Sequence, residues 1–120
     1  MIRVLLVDDQ PAVRQGLQMR LALEPDVWVI GEASDGATAL ELAAIHQPDV
    51  VVMDIEMPVM DGLSATTILR KTVPHSMVVI LSLYDDDITR RRALEAGARA
   101  FVAKSEAEGA LLAAIRAACN

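Results

Sequence analysis

One hundred and twenty residues, 53% of them apolar, supply one hydrophobic core and one domain spanning residues 1–120. With 11 Lys and Arg against 17 Asp and Glu, the formal charge is −6. That sign argues against direct binding of nucleic acid or an anionic membrane surface.

The chain opens on an apolar run, Ile2–Val7, closed by two adjacent aspartates, Asp8 and Asp9. Pro11 then suits a first helical position, and a helix is expected over Pro11–Leu23 with Val13, Leu17 and Leu21 facing inward. A second strand follows at Val27–Ala33 and a second helix at Gly36–His46. The third strand, Val50–Met53, ends on another aspartate, Asp54. Beyond it lie a helix at Gly62–Lys71, a strand at Met77–Leu81 ending on Ser82, a helix at Asp86–Ala96, and a strand at Ala100–Val102 followed by Ala103 and Lys104. The last helix, Glu106–Ala118, has Ala107, Ala110, Leu111, Ala114, Ile115 and Ala118 at helical spacing. Gly97 marks a left-handed helix end.

Five strand–helix units in succession imply a parallel sheet covered on both faces. The fourth helix is the weakest of them. Its inward candidates are Ile88, Ala93 and Leu94, and Asp86–Arg90 and Asp87–Arg91 are spaced for ion pairs on a solvated face. Such a helix is expected to be held loosely.

In an open parallel sheet, groups just past the carboxyl ends of neighbouring strands meet in one crevice. Asp8, Asp9 and Asp54 would then form a single acidic cluster. Each alone could be a turn or capping residue. Three together call for a cation, and hard oxygen ligands suit Mg²⁺. Ser82 and Lys104 add a hydroxyl and an ammonium suited to phosphate oxygens. The set fits phosphoryl chemistry with one carboxylate as nucleophile. His46, His75, Met57, Met60 and Trp28 read as loop, packing or strand residues.

Val7-Asp8-Asp9, Asp54 with Met57-Pro58 and Met60-Asp61-Gly62, Ser82, Phe101 and Lys104 carry a resemblance. Over its whole length the chain resembles the receiver domain of bacterial two-component response regulators. Gly31-Glu32-Ala33-Ser34-Asp35-Gly36 and Leu81-Ser82-Leu83-Tyr84-Asp85-Asp86-Asp87 make it most similar to the NarL/FixJ subgroup. The resemblance implies a (βα)5 flavodoxin-like, CheY-like doubly wound fold with strand order 2-1-3-4-5. It implies phosphorylation of Asp54 by a sensor histidine kinase, with Mg²⁺ on Asp9, Asp54 and the Glu56 carbonyl and Asp8 acting through water. Lys104 would contact the phosphoryl oxygens, Ser82 would swing towards them, and Phe101 would follow inward. Glu56 and Tyr84 would flank the water that hydrolyses the acyl phosphate. Phosphorylation would strengthen a homodimer through the fourth or fifth helix.

Three positions depart from the family pattern. Gln10 stands where the subgroup often has His, Ser105 where many receivers have Pro, and Phe101 lacks the hydroxyl of a common Tyr. Relatives usually continue into a C-terminal helix-turn-helix domain that binds DNA. The expectation is therefore an excised receiver controlling transcription, the alternative being a stand-alone receiver in protein–protein signalling or a phosphorelay. The expected setting is cytoplasmic, since Met1 leads straight into a strand and the single cysteine, Cys119, can form no internal disulfide. A flavodoxin-like electron carrier lacks its phosphate loop here, a small-molecule phosphatase lacks its substrate pocket, and a module independent of phosphorylation would not need the full site.

Overall fold

The computed structural model describes the backbone of residues 1–120 and all side chains except those of residues 107 and 108. The strands are β1 (Ile2–Val7), β2 (Val27–Ala33), β3 (Val50–Met53), β4 (Met77–Ser82) and β5 (Ala100–Ala103). The helices are α1 (Pro11–Leu21), α2 (Gly36–His46), α3 (Gly62–Thr72), α4 (Asp87–Glu95) and α5 (Ala107–Ala118), the last preceded by a 3-10 turn at Lys104–Glu106. The strands pair in parallel in the order β2-β1-β3-β4-β5. This is the expected doubly wound arrangement.

Alternation along the strands divides the core into two halves. Leu5, Val7, Val51, Met53, Val78, Ile80 and Phe101 pack with Ala39, Ala43, Ala65, Leu69 and Ala93 of α2, α3 and α4. Val4, Leu6, Val50, Val52, Val79, Leu81 and Val102 turn to the other face, against Leu21 of α1 and Leu111, Ile115 and Ala118 of α5. Strands buried on both sides must be apolar at nearly every position, which is why these segments read as unbroken runs.

Aspartates start three of the helices. Asp35, Asp61 and Asp86 accept from the backbone N–H groups of Thr38, Ser64 and Thr89 at 2.8, 2.8 and 2.7 Å, each satisfying a donor the helix leaves free. Proline at the first position serves α1 instead. The capping role weighed for Asp8, Asp9 and Asp54 thus falls to other residues.

Several sequence expectations need correction. α1 stops at Leu21, and Leu23 is exposed, because a turn there leads into β2. In α4 only Ala93 is buried; Ile88 and Leu94 are 70% and 50% exposed, so the helix has almost no apolar stripe. Neither predicted α4 pair forms. The Asp86 carboxylate is occupied by Thr89, and Arg90 turns back to Asp85 at 2.7 Å. In α5 the inward face is Leu111, Ile115 and Ala118, with Ala110 outside it; Ala107 lies outside the described side chains. Gly97 has the expected positive φ, 109°.

The β3–α3 connection folds back tightly beneath the strand ends. Gly62 N–H donates to the Ile55 carbonyl at 2.8 Å, and a Cβ on Gly62 would overlap the Asp54 carbonyl oxygen. Gly36 N–H donates to the Met60 carbonyl at 3.0 Å, tying the same loop to α2. Gly16, by contrast, has nothing within 4 Å of a built Cβ on its exposed helix.

Two alanine substitutions should therefore have opposite signs. Gly62→Ala should lose about 2–4 kcal/mol by forcing backbone apart. Gly16→Ala should gain about 0.5–1 kcal/mol through helix propensity. Urea denaturation of both variants checks this, and a Gly62→Ala protein as stable as wild type would show that the loop is not closely packed.

Candidate functional site

The ladders carry past the strands to set the acidic residues side by side. Asp8 N–H donates to the Ala33 carbonyl at 3.1 Å and Asp54 N–H to the Val7 carbonyl at 2.9 Å. Asp8, Asp9 and Asp54 each bring a carboxylate oxygen within 4.8 Å of the others. At that distance, and an effective dielectric of 20–80, each pair of charges repels by about 1–3 kcal/mol.

The three side chains are not equivalent. Asp8 is 2% exposed, and both its oxygens are engaged: one accepts from Gln10 N–H at 2.9 Å, the other from Lys104 Nζ at 3.0 Å. Asp54 is 9% exposed; Oδ1 accepts from Ile55 N–H at 2.9 Å and Oδ2 lies 3.5 Å from Lys104 Nζ. Asp9 is exposed and has no hydrogen-bond or ion-pair partner among the described residues. It is the carboxylate most available to a metal.

Burial pushes the Asp54 carboxyl up to about 6 from its ordinary 3.8, with the Asp8 charge adding to the rise and Lys104 opposing it. The group is still mostly ionised at neutral pH. Ionisation then carries a cost in the folded state.

Lys104 enters from the same carboxyl end of the edge strand β5, and β4 contributes Ser82. Ser82 is 1% exposed, and its hydroxyl accepts from Tyr84 N–H at 3.0 Å. Together Asp9, Asp54, Glu56, Ser82, Tyr84 and Lys104 line a cleft of about 360 Å³. The neighbouring Glu56 carboxylate holds the Tyr84 phenol above its usual range. The two residues expected to flank the cleft both line it. Phe101 lies below, 8% exposed and packed in the core. It already points inward. The Lys104–Ser105 peptide is trans, as are all others.

Two contributors were not legible in the sequence. Arg14 on α1 donates to the Asp8 carbonyl and pairs with Glu32 of β2 at 3.0 Å, anchoring the backbone that carries the acidic pair. Arg90 on α4 lies over the Phe101 ring, 4.7 Å from its centroid. Long side chains reach across elements without leaving a periodic signal.

The carboxyl shift has a defined consequence for stability. A folded-state pKa above the unfolded value makes folding less favourable above about pH 6, and the penalty vanishes below about pH 4. It amounts to about 2–3 kcal/mol at neutral pH. Asparagine imitates the protonated carboxyl, so Asp54→Asn in EDTA should melt about 8–12 °C above wild type at pH 7.5. The difference should shrink towards zero by pH 4. Thermal melts across this range check it, and a variant melting below wild type at pH 7.5 would contradict the strained cluster.

The family model for the response regulator receiver domain matches residues 4–116. The chain is 42% identical over 118 residues to the transcriptional regulatory protein LiaR of Bacillus subtilis, covering 98% of this chain and 56% of that protein. It spans about half the length of the curated relatives it matches. The receiver domain of the response regulator NarL from Mycobacterium tuberculosis superposes with a TM-score of 0.87 at 37% identity, covering 96% of both chains. A CheX–CheY complex with BeF₃ and Mg²⁺ from Borrelia burgdorferi gives a TM-score of 0.89 at 25% identity, covering 97% of this chain and 87% of that one. This chain belongs to the receiver domains of two-component response regulators, in the branch that LiaR and NarL represent.

Proposed function

We propose that Asp54 is the phosphoacceptor, receiving a phosphoryl group from a phosphohistidine of a sensor histidine kinase. The observation that carries this reading is the placement of one buried, mostly ionised carboxylate between an acidic pair and a lysine, facing an open cleft. In the transfer an Asp54 oxygen attacks phosphorus, an O–P bond forms, and the N–P bond to the donor imidazole breaks with its electron pair leaving on nitrogen. In-line displacement needs positioning and charge neutralisation more than covalent help.

The donor set fits Mg²⁺. Three carboxylates and one ammonium leave two formal negative charges, and all the donors are hard oxygens. Asp9, Asp54 and the Glu56 carbonyl would hold the ion directly. Asp8, with both oxygens engaged, would act through water. When bound, the ion neutralises charge developing on the phosphoryl oxygens. Lys104 is within reach of Asp54 to bind another of those oxygens, and the Ser82 hydroxyl can donate to a third.

The wider reading is regulation of transcription, since LiaR is described as a transcriptional regulatory protein. The receiver would span residues 1–120 of a longer protein with a helix-turn-helix output. Exposed Ile88 and Leu94 on α4 support a phosphorylation-strengthened homodimer through that face. No helix among the described residues is long and apolar enough to cross a membrane.

Acetyl phosphate with Mg²⁺ should add one phosphoryl group to the wild-type domain, detected by intact-mass measurement, and none to Asp54→Asn. Equal modification of the two would refute the assignment. Glu56 and Tyr84 line the cleft through which the hydrolytic water would approach. Glu56→Ala and Tyr84→Phe should therefore change the dephosphorylation rate at least about threefold, by opening that route or by losing its orientation. Phosphoryl acceptance should change far less. Decay curves indistinguishable from wild type would remove this role.

A further inference from the structure

Arg90 connects three elements that otherwise touch only lightly. Its guanidinium carbon lies 4.7 Å from the Phe101 ring centroid on β5. One of its nitrogens is 2.7 Å from Asp85 in the β4–α4 loop. Its own helix buries only Ala93 and leaves Ile88 and Leu94 exposed, so α4 has little apolar contact with the sheet.

Each partner of Arg90 lies close in sequence to a group that lines the cleft. Asp85 lies three residues after Ser82, and Phe101 three residues before Lys104. The loop between Ser82 and Asp85 is short and already folded onto the strand end by the Tyr84 N–H to Ser82 bond. One side chain outside the cleft thus bears on both strand ends that supply its hydroxyl and its ammonium. Cation–π attraction favours this stacked geometry over an aliphatic cover. The planar guanidinium can lie on the ring and still donate to a carboxylate.

We infer that Arg90 is a positioning residue for phosphoryl acceptance: by clamping Phe101 and the β4–α4 loop it presents Ser82 and Lys104 in the arrangement that receives the phosphoryl group. The inference rests on the reading of Asp54 as phosphoacceptor. It touches neither the reacting atoms nor the acidic cluster. Its removal should leave binding of Mg²⁺ alone unchanged while weakening binding of a phosphoryl group or its mimic.

The test measures beryllofluoride affinity in saturating Mg²⁺, together with Mg²⁺ affinity alone, for wild type, Arg90→Ala, Arg90→Lys and Asp85→Asn. Arg90→Ala should weaken beryllofluoride binding about three- to tenfold with Mg²⁺ affinity unchanged. Arg90→Lys should recover only part of the loss, because it retains the cation but not the planar fork, and Asp85→Asn should lose about twofold. In a Phe101→Leu background, Arg90→Ala should have at most half its effect, since the ring it clamps is gone. Unchanged or tighter beryllofluoride binding in Arg90→Ala would overturn the clamp, as would a full-sized effect in the Phe101→Leu background or an equal loss of Mg²⁺ affinity. Wild type failing to bind beryllofluoride would instead refute the Asp54 reading on which the clamp depends.

Discussion

Everything at the carboxyl end of this sheet depends on one ammonium group. Lys104 reaches from β5 across β4 and β3 to lie 3.0 Å from Asp8 and 3.5 Å from Asp54. Without it, three carboxylates within 4.8 Å would stand with no positive charge among them. With it, the cluster is tolerable to the fold and still two charges short of neutral. That residual charge is what a divalent cation would cancel. The site is held together by an interaction that does not satisfy it fully, a common compromise between function and stability.

The fold is arranged to deliver this geometry at small cost elsewhere. The central strands β3 and β4 are apolar on both faces, so the core fixes strand order and register without help from the site. Polar residues then cluster where the ladders run out. Gly62 lets α3 begin directly against the Asp54 carbonyl, and Arg14 grips the Asp8 carbonyl from α1. The acidic side chains therefore sit on backbone held from two sides. The opposite margin, α4 and the loop before it, is lightly packed and rich in charge. Rigid acceptor and loose margin belong to the same cleft, as a site that must both receive a group and report it requires.

Helix number and the convergence of Asp8, Asp9, Asp54, Ser82 and Lys104 were legible because buried strands and strand-end residues leave strong local patterns, whereas the strand order came only with the family resemblance. Asp9 and Asp54 could be distinguished from capping aspartates only by their position after apolar runs. The structure makes the distinction physical, assigning the caps to Asp35, Asp61 and Asp86. Less was legible around α4. Helical spacing nominated Ile88 and Leu94 as core residues and paired Asp86 with Arg90, and both readings failed. The pairing failed because spacing along a helix says nothing of a loop carboxylate or a ring on the next strand competing for the same arginine. The stacking of Arg90 on Phe101 was likewise a tertiary outcome.

The central claim is that Asp54 is an acceptor kept under electrostatic and desolvation strain by its neighbours. Carboxyl ¹³C NMR can follow Asp54 itself as pH is varied in metal-free protein. The account predicts a titration midpoint of about 6, driven by burial and by Asp8. It also predicts a further rise in Lys104→Met, where the opposing ammonium is gone. A midpoint at or below the ordinary carboxylate value in wild type, or one unmoved by loss of Lys104, would contradict it.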